Sequence, residues 1–282
     1  MSWFSRRRKT EPAIGLSVEN PEVSILSDRG CRRPVNEDSG RVVNAAAAGA
    51  PGRGLLVIIA DGMGGYEGGE VASRLATDTV AKTYPTAQGT PGEALEESFR
   101  QAHKTIFKMA AENDELRGMG STCTALAIVG QEAWAAHVGD SRLYLLRGRE
   151  IYQLSEDHSA IMEMVRQGLL TQEEADHHED RNILLRAMGT QPDLTMMKWA
   201  RPMDVKSGDA FVLCSDGLHN LVSDSEVLAV AGNTPPKEAC RKLVQMAKER
   251  GGHDNITVAV VAMHPESRLE ALKETRQAEV VP

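Results

Sequence analysis

Cysteine is scarce in this 282-residue chain, and the four present, Cys31, Cys123, Cys214 and Cys240, are widely spaced with no CxxC pair. No His/Cys set has the spacing of a structural zinc site, and the thiols suit a reducing cytoplasm. None of the four sits in a phosphate-cradling loop, which argues against a cysteine nucleophile. No run approaches the roughly 18 apolar residues of a membrane span. The basic start Met1–Lys9 is followed by no apolar h-region, so it does not read as a secretory signal. Trp3 and Phe4 ahead of four cations could brush an anionic lipid surface, but a solubilising tail is the simpler reading. There is no GxxxxGK[ST] and no strand followed by GxGxxG, which speaks against the common nucleotide-binding enzymes. Positive charge is not in excess either. The formal net charge of −8 argues against a dedicated nucleic-acid binder and requires that any anionic substrate be met by local cations or metals.

What is present is a 41% apolar, globular composition, enough for a substantial core. Residues 1–20 read as a tail, 21–263 as one folded domain and 264–282 as a charged tail. Strands are expected at 22–27, 55–60, 121–129, 132–138, 142–146, 150–154, 194–199, 210–214 and 256–263, and helices at 69–82, 93–117, 159–167, 224–231 and 236–249. The four strands between 121 and 154 are spaced as one antiparallel meander. Residues 44–54 read as a flexible loop and the polar segment 170–182 as an exposed excursion. No internal repeat and no linker breaks the series, so one α+β domain with strands and helices in separate layers is expected.

The chemistry lies at strand ends. Leu55-Leu56-Val57-Ile58-Ile59-Ala60 reads as a buried strand and stops abruptly at Asp61-Gly62-Met63-Gly64-Gly65. A carboxylate on a rigid strand end, with bare backbone beside it, is a common way to build a hard-metal site, although a plain Asp turn and glycine loop would look the same. The device recurs. Asp216-Gly217 ends another apolar strand, Asp254 immediately precedes the last one, Asp140 sits in Gly139-Asp140-Ser141, and Glu37-Asp38 add an acidic pair. Acids gathered at one sheet edge repel unless cations neutralise them, and oxygen ligands select Mg²⁺ or Mn²⁺ over zinc. Arg32 and Arg33 beside Glu37-Asp38 are either solvated surface or an anion clamp next to metal ligands.

This order of motifs resembles the PP2C (PPM) family of metal-dependent protein serine/threonine phosphatases in its compact bacterial form. The resemblance is carried by Arg33-Pro34-Val35-Asn36-Glu37-Asp38, Asp61-Gly62-Met63-Gly64-Gly65, Gly120-Ser121-Thr122 and Val138-Gly139-Asp140-Ser141-Arg142. It continues through Asp157-His158-Ser159, Arg186-Ala187-Met188-Gly189, Cys214-Ser215-Asp216-Gly217-Leu218 and Gly252-His253-Asp254-Asn255-Ile256-Thr257. It implies a four-layer α-β-β-α sandwich and hydrolysis of phosphoserine or phosphothreonine in proteins by a water that two Mn²⁺ or Mg²⁺ ions activate. By resemblance, Asp61 bridges the two metals, Asp216 and Asp254 hold the first, and Glu37 and the Gly62 carbonyl hold the second. Asp38 orders metal-bound water, Asp140 binds a third, weaker ion, and Arg33 grips the phosphoryl group. Asn255, Thr122 and Thr124 support that shell.

Two departures from relatives stand out. Met63 follows the Asp-Gly pair where some carry His, and Tyr66 replaces a bacterial His. The resemblance further implies a cytoplasmic monomer acting on phosphoproteins opposite a bacterial Ser/Thr kinase or its targets. It implies no nucleic-acid partner. The alternative, a catalytically silent phosphoprotein-binding or scaffolding relative, would need a lost ligand, and Asp61, Asp216 and Asp254 are all present.

Overall fold

The computed structural model describes residues 21–65, 68–176, 178, 180 and 183–263. The two tails, Tyr66 and His177 lie outside them. In chain order the elements are β1 (Glu22–Asp28), β2 (Asp38–Asn44), β3 (Leu55–Met63), α1 (Gly68–Thr83), α2 (Pro91–Glu112), β4 (Gly120–Ser121), β5 (Cys123–Val129), β6 (Glu132–Val138), β7 (Arg142–Arg147) and β8 (Glu150–Gln153). They continue as α3 (Ala160–Arg166), α4 (Gln172–Asp176), β9 (Met197–Lys198), β10 (Met203–Asp204), β11 (Ala210–Cys214), α5 (Asp216–His219), α6 (Asp224–Ala231), α7 (Pro236–Glu249) and β12 (Ile256–Ala262). No helix among the described residues is long and apolar enough to cross a membrane.

Two antiparallel sheets result. One runs β1-β12-β11-β7-β8 and the other β10-β6-β5-β3-β2, with β4 paired to β3 and β9 to β6. Three hydrophobic layers separate four layers of structure. On β3, Leu56, Ile58 and Ala60 pack toward Ala72, Ala76 and Val80 of α1 and Leu95, Phe99 and Ile106 of α2. The alternate residues Val57 and Ile59 face Leu143, Phe211, Leu213 and Val261 of the other sheet. Burial on both faces explains why the strand is an unbroken apolar run rather than an alternating one. On the far side, Val212, Cys214, Val258 and Val260 pack against Leu218 of α5, Val227 of α6 and Ala239, Leu243 and Ala247 of α7. The expected α-β-β-α sandwich is the observed one.

Local signals set the helix starts. Thr90 and Glu93 form a capping box ahead of Pro91, and Ser223 with Glu226 forms another at α6. The expected 93–117 helix ends earlier, at Glu112, with a separate 3₁₀ turn at Asp114–Leu116. The expected meander is corrected as well. β5 and β6 belong to one sheet and β7 and β8 to the other, so Gly139-Asp140-Ser141 carries the chain between sheets and is not a hairpin turn. Gly139 has φ +109°, and a Cβ there would lie 2.5 Å from Thr122, so the crossing is tight enough to require glycine. The polar excursion at 170–182 contains the one-turn helix α4.

Candidate metal centre and active site

The site forms where both sheets end at the same edge. In one, β2 begins at Asp38 directly opposite Asp61 on β3. In the other, β11 and β12 are antiparallel neighbours, so Asp216 after the first and Asp254 before the second leave at the same end. The Ser215 hydroxyl helps tie the sheets together there, donating to Asp38 Oδ2 at 2.7 Å. The Asp61 backbone is fixed by Thr122, whose Oγ1 accepts its N–H at 2.8 Å and whose N–H reaches its carbonyl at 2.8 Å. Thr122 Oγ1 also bonds Ser141 Oγ at 2.8 Å, which links Asp61 to the crossing that carries Asp140. Asp140 itself is held through its carbonyl, 3.0 Å from His219 Nε2, and the Gly139 N–H donates to His158 Nδ1 at 3.1 Å.

The acidic pair after Arg33 is pinned from the β12 side. Asn255 Oδ1 accepts the Glu37 N–H at 2.7 Å while its Nδ2 donates to the carbonyls of Arg29 and Val35, both at 2.9 Å. The Glu37 carbonyl in turn accepts the Gly62 N–H at 3.1 Å. Arg33 Nη2 donates to Asp254 Oδ2 at 2.7 Å, and Nη1 stands 3.9 Å from Glu37 Oε2. The guanidinium is thus half-exposed at the rim of the acids.

Six carboxylates gathered at one largely buried edge are electrostatically costly. Burial, then the charges of Asp38, Asp216, Asp140 and Asp254, hold the Asp61 carboxyl well above the usual carboxylate range. Burial and Asp216 do the same to Asp140. Burial lifts Asp38 to about 7 against the opposing hydrogen bond from Ser215, and Asp216 to about 6, with Asp61 close enough to share a proton with it. Glu37 is raised by burial despite Arg33.

These residues fit a hard divalent cation. Asp38 Oδ1 and Asp216 Oδ1 are buried without a hydrogen-bond partner, which is costly unless a positive group meets them. Among the described residues no three His, Cys, Asp or Glu side chains stand as a closed cation cage. Asp254 is bonded to Arg33, Asp38 to Ser215 and Asp216 to Asn220. The oxygen donors and their burial, rather than a finished cage, carry the fit.

Known proteins of like sequence and fold identify the family. The match described as protein phosphatase 2C covers residues 35–273. The chain belongs to the protein phosphatase 2C family. It is 38% identical over 254 residues to the protein phosphatase PhpP of Streptococcus pneumoniae, covering 87% of this chain and 98% of that protein. It superimposes on the crystal structure of the Mycobacterium tuberculosis serine/threonine phosphatase PstP/Ppp with a TM-score of 0.77 at 33% identity, over 86% of this chain and 99% of that one. The catalytic domain of PstP in complex with two manganese ions matches with a TM-score of 0.75 at 32% identity, over 86% of this chain and 98% of that one.

Against the expectations from sequence, the protein phosphatase 2C fold brings Arg33, Glu37, Asp38, Asp61, Gly62, Asp216 and Asp254 to one edge, with Asp140 linked to it through Ser141 and Thr122. Thr124 Oγ1 bonds His137 Nδ1 at 2.8 Å and lies 3.4 Å from the carbonyl of Ser141, on the same crossing. Sequence reasoning missed Ser215 and Asn220. The first was visible only as the residue before Asp216. The second reaches Asp216 Oδ2 at 3.2 Å because the α5 turn places residues four apart on one face.

Proposed function

We propose that this protein serine/threonine phosphatase hydrolyses phosphoserine and phosphothreonine in proteins with Mn²⁺ or Mg²⁺, in the cytoplasm, reversing a Ser/Thr kinase. The observation that supports this most is Asp38 opposite Asp61 on one sheet, with Asp216 and Asp254 at the matching end of the other and two of these oxygens unsatisfied. Asp61, Asp216, Asp254, Glu37 and the Gly62 carbonyl would hold two ions, and Asp140 a third. When bound, the ions supply the charge that makes water a nucleophile at neutral pH and offsets charge building on the phosphoryl oxygens.

The chain's own residues do the rest. Arg33 stands at the acids' rim, bonded to Asp254, and its fork matches two phosphoryl oxygens. Its bond to Asp254 is half-exposed, so exchanging it for a phosphate costs little. Asp38, fixed by Ser215, orients the attacking water. Covalent catalysis by cysteine is disfavoured: Cys123 and Cys214 are buried in apolar surroundings, which pushes the Cys214 thiol up to about 12. Neither His137 nor His158 supplies the leaving group's proton at neutral pH, because burial pushes His158 down to about 3 and lowers His137. All four thiols are free, in keeping with a reducing compartment.

The test is Mn²⁺-dependent release of phosphate from a phosphothreonine peptide. Asp61→Asn should lower the rate at least about 1000-fold, an electrostatic effect of the size seen for essential charged groups, with circular dichroism unchanged. A protein that binds the peptide but releases no phosphate would instead be the silent scaffolding relative.

A further inference from the structure

The turn that delivers Arg33 carries more positive charge than phosphate binding at Arg33 uses. Arg29, Arg32 and Arg33 lie within five residues of a chain whose formal net charge is −8. Arg33 is engaged by Asp254, and Arg29 folds back to donate from Nη1 to the Pro34 carbonyl at 3.2 Å. Asp28, the acid at the start of the turn, is already occupied: it receives Lys248 Nζ and the Gly30 N–H, each at 2.8 Å. Arg32 is exposed and makes no hydrogen bond or ion pair among the described residues.

Its backbone is nonetheless rigidly placed. The neighbouring Cys31 N–H donates to the Gly252 carbonyl at 2.8 Å, and Asn255 holds the turn at Arg29 and Val35. Gly30 has φ +75°, and a Cβ there would lie 2.0 Å from the Asp254 carbonyl, so the turn lies directly against the metal-ligand loop. An unpaired arginine on a fixed backbone, one residue from the phosphate-gripping one, is available to whatever flanks the scissile phosphate. Little ordering of the backbone is left to be done on binding.

We propose that Arg32 is a specificity-determining residue that receives an anionic group, a carboxylate or a second phosphate, within about two residues of the phosphoserine or phosphothreonine being hydrolysed. The spacing suits it: adjacent Cα atoms on the protein are about 3.8 Å apart, and an extended substrate advances about 3.3 Å per residue. The inference rests on the phosphatase reading above and adds the substrate class, phosphosites in acidic or multiply phosphorylated segments.

The experiment compares kcat/KM on phosphothreonine peptides with neutral, Glu-rich, Lys-rich or additionally phosphorylated flanks, and on p-nitrophenyl phosphate, which has no flank. The expected acidic-to-neutral ratio is about three- to fivefold, as for an exposed ion pair. It should be larger for the second phosphate, which carries more charge. It should reside in KM and disappear near about 1 M salt, where screening is nearly complete. Arg32→Gln should bring the ratio to about one, Arg32→Lys should keep most of it, and Arg32→Glu should turn the preference toward the Lys-rich peptide. An unchanged ratio in Arg32→Gln overturns the inference, as does a fall of equal size on all substrates. Peptide binding followed by fluorescence anisotropy separates the two readings. Arg32-dependent binding without phosphate release would sink the hydrolytic reading and leave the role of Arg32 standing.

Discussion

Asn255 shows how much one side chain can hold. It is buried, and its amide satisfies three backbone groups on the segment from Arg29 to Glu37, which carries the phosphate arginine and one of the acids and leads directly into Asp38. Asn255→Ala strands one N–H and two carbonyls, and should destabilise the metal-free protein by about 2–3 kcal/mol in urea unfolding. It should also weaken Mn²⁺ binding in a titration. Asn255→Asp keeps the bond to the Glu37 N–H and loses only the two donors, so it should do less damage. A variant with unchanged midpoint and unchanged Mn²⁺ affinity would show that the turn holds itself. Asn255 was legible as a supporting residue because it follows Asp254 in the motif. Ser215 was not, since a serine before Asp-Gly looks like any helix-capping residue. Only the packing of two sheets brings its hydroxyl to Asp38.

Among the elements, β3 and its joint with α1 decide the site. The glycines after Asp61 look equivalent in sequence and are not equivalent in space. A Cβ on Gly62 would stand 1.9 Å from the Gly69 carbonyl oxygen and 2.7 Å from that of Glu37, whereas one on Gly65 would meet nothing within 4 Å. Gly62→Ala should therefore cost at least about 3 kcal/mol by overpacking against backbone and abolish Mn²⁺-dependent activity. Gly65→Ala should stay within about 0.5 kcal/mol. Thermal melts of the two variants side by side check this, and equal effects would refute it.

β3, β11, β12 and the helices α1, α6 and α7 were readable because burial on one or both faces writes a strong pattern. The strand β2, with sequence DSGRVVN, was not read. It lies at the edge of its sheet with polar and glycine residues and is ordered by pairing with β3, which no local pattern encodes. The same limit produced the expected meander. Spacing marks where strands turn, but the sheet each strand joins is a tertiary choice.

At the scale of the whole molecule, two sheets are pressed together so that their acidic ends meet, and that geometry couples stability to metal and to pH. In the metal-free protein the folded state holds protons on Asp61, Asp140, Asp38 (about 7) and Asp216 (about 6) that the unfolded chain has already released. A raised carboxyl favours the folded state fully below the unfolded value near 4, and that contribution is lost as pH climbs through the folded value. Stability from this source therefore falls between about pH 4 and 7. His158 and His137 act oppositely. Their depressed folded values give stability present above about 6.5 that is lost on acidification, for His158 down toward about 3.

The two trends overlap in a simple melt but separate in a difference. A cation binding the acids replaces their protons and leaves the histidines as they were, so subtracting melts in EDTA from melts in excess Mn²⁺ cancels the histidine contribution. The gain in Tm from Mn²⁺ should then widen steadily from pH 5 to pH 7.5, with protons released on binding in unbuffered titrations near pH 6. Asp61→Asn should flatten that widening. A gain independent of pH in the wild type would mean that the acids are ionised before the metal arrives, and that the buried edge is better solvated than its packing indicates.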